Sequence, residues 1–324
     1  MEYTASSMFA GVGGIDFAFQ QAGFKMAWAN EMDKHAIKTF KVNHPDTVLF
    51  EGKIEDYDEA DLPYVDVLTG GFPCQSFSLA GLQKGFKDIG RGTLFFEIIR
   101  VAKHMMPRAI MLENVKNLVH HDKGNTMRVI LEQLDNLGYH VKHQILSGDT
   151  HGNIPQGRKR IFIICFKSKK DYNNFEFPAP IPLTVEPKEL IDSTAPLKYY
   201  YNKTQYFQML LEEMTDFDAV YQLRRKYVRK NMNGVCPTLT ANAGKGGHNV
   251  PIIWDSESIR KLTPREMFRF QGFDDSFIFP KGIADCHLYC QAGNSVIIPV
   301  VLRIAKRIWD SFSTTDRLSL EEAR

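Results

Sequence analysis

The sequence predicts an α/β protein built on a doubly wound, mostly parallel sheet. Three observations carry that reading. Short apolar runs alternate with amphipathic segments through the first half of the chain. Several of those runs end in glycines or in reactive side chains. The alternation then stops after Phe166 and resumes only as one long apolar segment near the C-terminus.

The elements come in order along the chain. SSMF (6–9) reads as a strand leading into Gly11–Gly14, with a helix starting near Ile15. KMAWAN (25–30) reads as the next strand and DKHAIKTFKVN as the helix after it. VDVLTGG (65–71) and RAIMLENV (108–115) are strands. Between them, Leu94, Ile98, Val101 and Met105 fall at helical spacing, and Met127, Ile130, Leu131, Leu134 and Leu137 form another helical stripe. IFIICF (161–166) suits a buried strand. Residues 167–187 are polar and proline-rich and read as a domain boundary. The stretch from there to about residue 284 lacks the βαβ rhythm. In VIIPVVLRIAKRIW (296–309), Val300, Val301, Ile304 and Ile308 mark a closing helix that returns to the first domain. The expected division is residues 1–175 plus 285–324 as one domain and 176–284 as a smaller, irregular one.

Composition narrows the class. With 324 residues, 44% hydrophobic and 24% charged, the chain is long enough for one large domain or two unequal ones. No apolar run approaches membrane-spanning length, and MEYTASSMF lacks the pattern of a secretory signal. Five scattered cysteines are no disulfide framework and fit a reducing cytoplasm. CHLYC (286–290) has no second ligand pair of suitable spacing elsewhere, so no metal site is expected. A net charge of +2 does not indicate a polyanion partner. The local run LRRKYVRK (223–230) is either a solvated helix face or the lining of a phosphate backbone.

Five places carry chemistry. FAGVGG (9–14) lets the backbone come close to a ligand, although plain turns share that pattern and its spacing is not GxGxxG. Glu31 ends the next strand, where carboxylates hold ribose hydroxyls; together the two point to an adenosine-containing cofactor. In GGFPCQSFS, Cys74 follows a strand on the edge where doubly wound sheets bind ligands, and Glu113 in LENV ends another strand. Arg158 and Arg160 in QGRKRIF precede an apolar strand. Taken singly, Cys74 reads as a buried small hydrophobe, Glu113 as a helix cap and the arginines as a solvated loop.

FAGVGG, ANE, GGFPCQ, ENV, QGRKR, RKLTPREMFRFQGF and QAGNSV occur in this order. Over residues 5–310 the chain resembles the cytosine-C5 DNA methyltransferases, particularly the compact bacterial enzymes of restriction–modification systems. The resemblance implies a Rossmann-like, S-adenosylmethionine-dependent catalytic domain, with 176–284 as target-recognition domain. It implies that Cys74 attacks carbon 6 of a flipped-out cytosine, that Glu113 serves N3 and the exocyclic amine, and that Arg160, with Arg158, holds the O2 side. Phe9, Gly11, Gly13, Gly14, Glu31, Met32, Ile54, Pro73, Leu94, Asn294, Ser295 and Val296 are implied to form the cofactor pocket.

Gln75, Ser76, Arg91, Arg224, Arg225, Arg229, Thr238 and Thr240 are implied to face DNA, and Ser76–Arg91 to be a loop closing over it. The implied partner is double-stranded DNA with a short specific site, bound by a cytoplasmic monomer, with a cognate endonuclease encoded separately and no membrane involved. A tRNA cytosine methyltransferase of the same fold is the alternative. The chain departs from the family at Lys53, where an aspartate commonly contacts adenine and Glu55 or Asp56 is the expected substitute, and at Cys290, where a basic residue is common.

Overall fold

The computed structural model describes residues 2–72, 94–224, 227–231, 234–243 and 249–322. The large sheet contains β1 (Thr4–Met8), β2 (Lys25–Glu31), β3 (Val48–Glu51), β4 (Val67–Gly71), β5 (Ala109–Val115), β6 (His140–Ser147) and β7 (Lys159–Phe166). They lie in the order β3-β2-β1-β4-β5-β7-β6. Neighbours are parallel except at β7, which runs antiparallel to both β5 and β6. The chain moves outward from β1 in one direction and from β4 in the other. The switch point therefore lies between these two strands, where an open α/β sheet leaves a crevice at its carboxyl edge.

Alternation of side chains gives the sheet two buried faces. On β5, Ala109 and Met111 join one apolar cluster while Ile110 and Leu112 join the other. On β7, Phe162, Ile164 and Phe166 face the first cluster, and Ile161, Ile163 and Cys165 the second. Such strands are apolar at every position because both faces are covered. Two helices, α1 (Gly14–Gln21) and α2 (Lys34–Asn43), come after the first two strands, and Asp33 caps α2 by accepting from His35 N and Ala36 N. On the second face lie α3 (Leu94–Met105) and α4 (Asn125–Asn136), through Phe95, Ile98, Val101, Ile130 and Leu134. The short helices α5 (Gly148–His151) and α6 (Lys169–Asn174) flank β7.

Beyond α7 (Phe207–Glu213), the region read as irregular holds a second sheet: β8 (Tyr221–Leu223), β9 (Val228–Lys230), β10 (Val250–Trp254) and β11 (Ile259–Lys261). Their order is β11-β10-β8-β9, all antiparallel. Strands of three to five residues are too short for an alternating pattern to stand out. Leu210, Met214, Tyr221, Leu223, Ile252 and Ile259 form a cluster of their own beneath it. The described part of the basic run is not a helix face: Arg224 N bonds Tyr227 O between β8 and β9, so it belongs to a hairpin.

A buried fork joins this sheet to α8 (Pro264–Arg269). Arg260, fully buried on β11, donates through Nη1 and Nη2 to the two oxygens of Glu266 and pairs through Nε with Asp255. Thr263 and Glu266 also form the capping box of α8. From α8 onward, Phe268, Phe270, Phe273 and Phe277 pack with the core of α1 and the large sheet. The chain closes with α9 (Asp285–Asn294) and α10 (Ile298–Glu322), separated by a break at Ser295. Asp285–Glu321 has the hydropathy of a membrane span over its most apolar window, but 72% of that window is buried inside the protein. Its apolar face, including Val300, Val301, Ile304 and Ile308, packs on α1, so this is a core helix.

Candidate active site

The first wall is the turn between β1 and α1. Gly13 takes φ +85°, a left-handed conformation that favours glycine, and a Cβ there would lie 2.0 Å from Nε2 of His44. A Cβ on Gly14 would meet Ser295 Oγ at 2.5 Å, whereas at Gly11 it would meet nothing within 4 Å. The turn is thus packed from behind by His44 and Ser295 and open in front. Its position is set by Glu31 at the end of β2: Oε2 accepts from Gly11 N (2.7 Å), and Oε1 from Met32 N (2.8 Å) and Asp33 N (2.7 Å). A carboxylate has about four acceptor sites, so three backbone donors leave room for a hydroxyl.

Two buried titratable groups sit behind this turn. Burial pushes the Asp16 carboxyl up to about 7, against the opposing effect of its hydrogen bond from Ser7 Oγ. Burial pushes the His44 imidazole down to about 4, with the Val12 backbone opposing. His44 packs edge-on to Phe17 and against Phe40, each at a ring separation of 4.5 Å.

The second wall is where β4, β5 and β7 end. Register places Gly71 beside Glu113 and Val115 beside Arg160. Asn114 Nδ2 donates to Phe72 O (2.6 Å), fixing the chain as it leaves β4 toward Cys74. Arg160 Nε lies 3.0 Å from Glu113 Oε1, with both side chains mostly buried. The N–H is not aimed at the oxygen, and among the described residues Oε1 accepts no hydrogen bond. The pair is therefore an ion contact that leaves a carboxylate oxygen and its lone pairs available.

The third wall is the C-terminal end of α9 and the break after it: Gln291, Gly293, Asn294, Ser295 and Val296. His287 stacks on His35, with centroids 3.5 Å apart, and ties α9 to α2. Together the three walls enclose a cavity of ≈ 440 Å³, inside the range of small-molecule sites, about 300–1,000 Å³.

Phe9, Gly11, Gly14, Glu31, Glu113, Arg158, Arg160, Asn294, Ser295 and Val296 all line this cavity. Gly13, Met32, Ile54 and Leu94 do not. Gly13 backs onto His44, Met32 is 56% exposed, and Ile54 is 1% exposed inside the second cluster, where Leu94 also packs. Lys53, Glu55 and Asp56 are exposed and outside the wall. Pro73, Cys74, Gln75, Ser76, Arg91 and Arg225, and the loop Ser76–Arg91, lie outside the described residues.

Of the residues expected to face DNA, Arg224 bonds Gln222 (3.3 Å) and Arg229 is exposed on β9. Thr238 Oγ1 donates to Gly157 O (2.9 Å), and Thr240 Oγ1 is buried without a partner among the described residues. Sequence reasoning missed Asp33, Ala36, Asn114 and Gln291 as wall residues. Asn114 and Gln291 stand inside the ENV and QAGNSV segments and were findable there; Asp33 and Ala36 became visible only through the packing of α2 against α9.

The mostly parallel sheet, the glycine turn at its switch point and the carboxylate ending β2 are consistent with an S-adenosylmethionine-dependent methyltransferase fold. The residues fit that cofactor: the turn leaves open space at Gly11, Glu31 keeps acceptor capacity, and Ser295 Oγ has no partner among the described residues. Solved structures agree on the fold. The S. pombe Dnmt2 methyltransferase superposes with a TM-score of 0.72 at 19% identity, covering 96% of this chain and 99% of that one. A putative DNA modification methyltransferase encoded in an E. coli prophage gives 0.69 at 22% identity, covering 96% and 100%.

The C-5 cytosine-specific DNA methylase family matches residues 3–310, and the chain belongs to that family. It is a DNA (cytosine-5-)-methyltransferase with S-adenosylmethionine as methyl donor. Among its relatives, Type II methyltransferase M.Bsp6I of Bacillus sp. (strain RFL6) is 50% identical over 311 residues, covering 94% of this chain and 98% of the relative. Type II methyltransferase M.HhaI of Haemophilus parahaemolyticus is 34% identical over 325 residues, covering 94% of each.

Proposed function

We propose that the chain is the modification enzyme of a restriction–modification system, methylating one cytosine within a short site in double-stranded DNA. The observation that carries the reaction is the Glu113–Arg160 contact at the cavity wall, one strand away from the segment that leads to Cys74. Carbon 5 of cytosine is a poor nucleophile until the ring loses its aromaticity. Cys74, as thiolate, adds to carbon 6 of the flipped base. Glu113, with an oxygen free of hydrogen bonds among the described residues, serves N3 and the exocyclic amine as electron density moves into the ring. Arg160 offsets negative charge on the O2 side. The bound cofactor supplies an electrophilic methyl group. Removal of the carbon-5 proton then restores the double bond, and Cys74 leaves carbon 6.

Phe9, Gly11, Gly14, Glu31, Asn294, Ser295 and Val296 hold the cofactor in this reading. Arg229, Thr238 and Thr240, with Arg224, face the DNA, and the small sheet with its separate apolar cluster forms the core of the target-recognition domain. The protein acts as a monomer in the bacterial cytoplasm, beside a separately encoded endonuclease. The Type II methyltransferase relatives, both bacterial, support the bacterial setting.

The test is a covalent trap. Duplex DNA carrying 5-fluorocytosine at the target, incubated with enzyme and cofactor, should give an adduct that survives denaturing electrophoresis and is lost in Cys74→Ala. No adduct, or an unchanged one in the variant, overturns the mechanism. Tritiated methyl transfer to DNA and tRNA side by side should favour DNA; a preference for tRNA overturns the substrate.

A further inference from the structure

Arg158 and Arg160 are two residues apart, yet the fold gives them different surroundings. Arg160 faces Glu113. Arg158 is 4% exposed and gives its terminal nitrogens to backbone carbonyls. Nη1 donates to Leu239 O (2.9 Å), and Nη2 donates to Gly293 O (3.1 Å) and Ser295 O (2.6 Å). Burial first, and Arg160 second, push its pKa down, while Glu113 opposes them. A buried guanidinium with that much against its charge is held by the carbonyls it bonds.

Those carbonyls belong to two different walls. Gly293 and Ser295 line the cofactor cavity, and Leu239 lies between Thr238 and Thr240. The walls also touch directly: a Cβ on Gly293 would lie 2.2 Å from Ala241 N and Thr240 C, so the backbones meet where only glycine fits. Gln156 repeats the arrangement on the same loop. It accepts from Leu239 N (3.1 Å) and donates to Phe270 O (2.6 Å), and Gln271 donates onward to Ala292 O (2.6 Å). Gly157 N bonds Cys236 O (2.9 Å), and Cys236 N bonds Pro155 O (2.7 Å).

We propose that Arg158 is a positioning residue that joins the DNA-facing segment Thr238–Thr240 to the cofactor wall Gly293–Ser295, so that each ligand strengthens binding of the other. The inference rests on the preceding assignment of these two walls to DNA and to cofactor. It separates Arg158 from the O2 role that the family resemblance implies for it. A segment pinned to both walls shifts only when both shift, and coupling of two binding sites is reciprocal.

The test measures S-adenosylhomocysteine affinity by calorimetry, with and without a duplex containing the methylation site, together with steady-state kinetics. The wild type should bind S-adenosylhomocysteine at least about fivefold tighter with DNA, within the usual range of such couplings, about 5–150-fold. Arg158→Lys keeps the charge and loses the fork; it should abolish that enhancement and raise both KM values about tenfold, with kcat within about threefold. Gly293→Ala should act in the same direction while leaving Arg158 itself in place, and it carries the test if Arg158→Lys does not fold. Arg160→Lys should instead lower kcat.

A hundredfold loss of kcat in Arg158→Lys with unchanged KM values would place Arg158 on the substrate and overturn the proposal. So would an enhancement that persists in both variants, or one absent from the wild type. A wild type inactive on DNA would overturn the functional reading itself, which is a separate result.

Discussion

The two sheets of this enzyme solve different problems. In the large sheet, β5 and β7 are covered on both faces, and the side chains at their ends are held by register: Gly71 beside Glu113, Val115 beside Arg160. In the small sheet, strands of three to five residues rest on one cluster and leave cations such as Arg229 exposed. Chemistry needs atoms fixed to a fraction of an ångström, which a doubly covered sheet edge provides. Target choice needs side chains that reach outward from a surface. The comparison teaches that the more deeply a region is packed, the less its residues can vary in position, and the proposed mechanism puts the reaction there.

The largest break in this contrast is at the reactive edge. Cys74→Ala should abolish methyl transfer, and Glu113→Gln should lower kcat by about 10²–10⁴-fold, the usual range for a lost acid–base group. Single-turnover transfer of labelled methyl groups reads both. Glu113→Gln should leave the affinity for S-adenosylhomocysteine unchanged within about threefold, since in the proposed mechanism Glu113 acts on the base.

Next in size is the joint between the two sheets. Glu266→Leu leaves Arg260 buried beside Asp255 without its bidentate partner and removes the capping box of α8. The expected destabilisation is about 3–5 kcal/mol, read by urea unfolding at neutral pH. A loss under about 1 kcal/mol would show that the small sheet is not held through this fork.

A third effect lies under the glycine turn, where two buried groups give opposite pH dependences. The His44 pKa falls from 6.5 to about 4 on folding, so its contribution is present above 6.5 and is lost as pH falls toward 4. The Asp16 pKa rises from 3.8 to about 7, so its contribution is present below 3.8 and is lost as pH rises through 7. At full extent His44 is worth roughly 3 kcal/mol and Asp16 roughly 4 kcal/mol, and between pH 4 and 6.5 they oppose each other. Relative to wild type, His44→Phe should become less stable as pH rises through that window, and Asp16→Asn more stable. Urea titrations at pH 4.5, 5.5 and 6.5 check the signs; parallel curves for all three proteins would refute them.

The smallest effect belongs to the exposed hairpin. Arg229→Ala should weaken DNA binding several-fold at every sequence tested and reduce the slope of log affinity against log salt by about 1, with kcat unchanged. Fluorescence anisotropy across salt concentrations measures it. A change confined to one DNA sequence would make Arg229 a base reader instead.

Much of the large domain was legible because strands such as β5 and β7 carry continuous apolar runs next to conspicuous residues. β5 and β7 showed themselves in this way. β6 did not: HVKHQILS is an edge strand with mixed exposure, so no run marked it. The small sheet was hidden by the brevity of its strands. Within the site, Glu31, Glu113 and Arg160 stood out by type and place, whereas the burial of Arg158 depended on carbonyls 81, 135 and 137 positions away in sequence.

By itself, then, the sequence determined the βαβ rhythm, the order of the motifs and the family to which the chain belongs, because these depend on local periodicity and on residue types that each motif carries wherever it lies. Only the tertiary structure decided which groups meet. Register across β4, β5 and β7 brought Glu113 to Arg160; packing of α2 against the turn put His44 under Gly13; and closure of the chain through α9 set Gly293 against Thr240 and Ala241. Those contacts join residues far apart in the chain, and their geometry is a property of the whole packed core rather than of any segment within it.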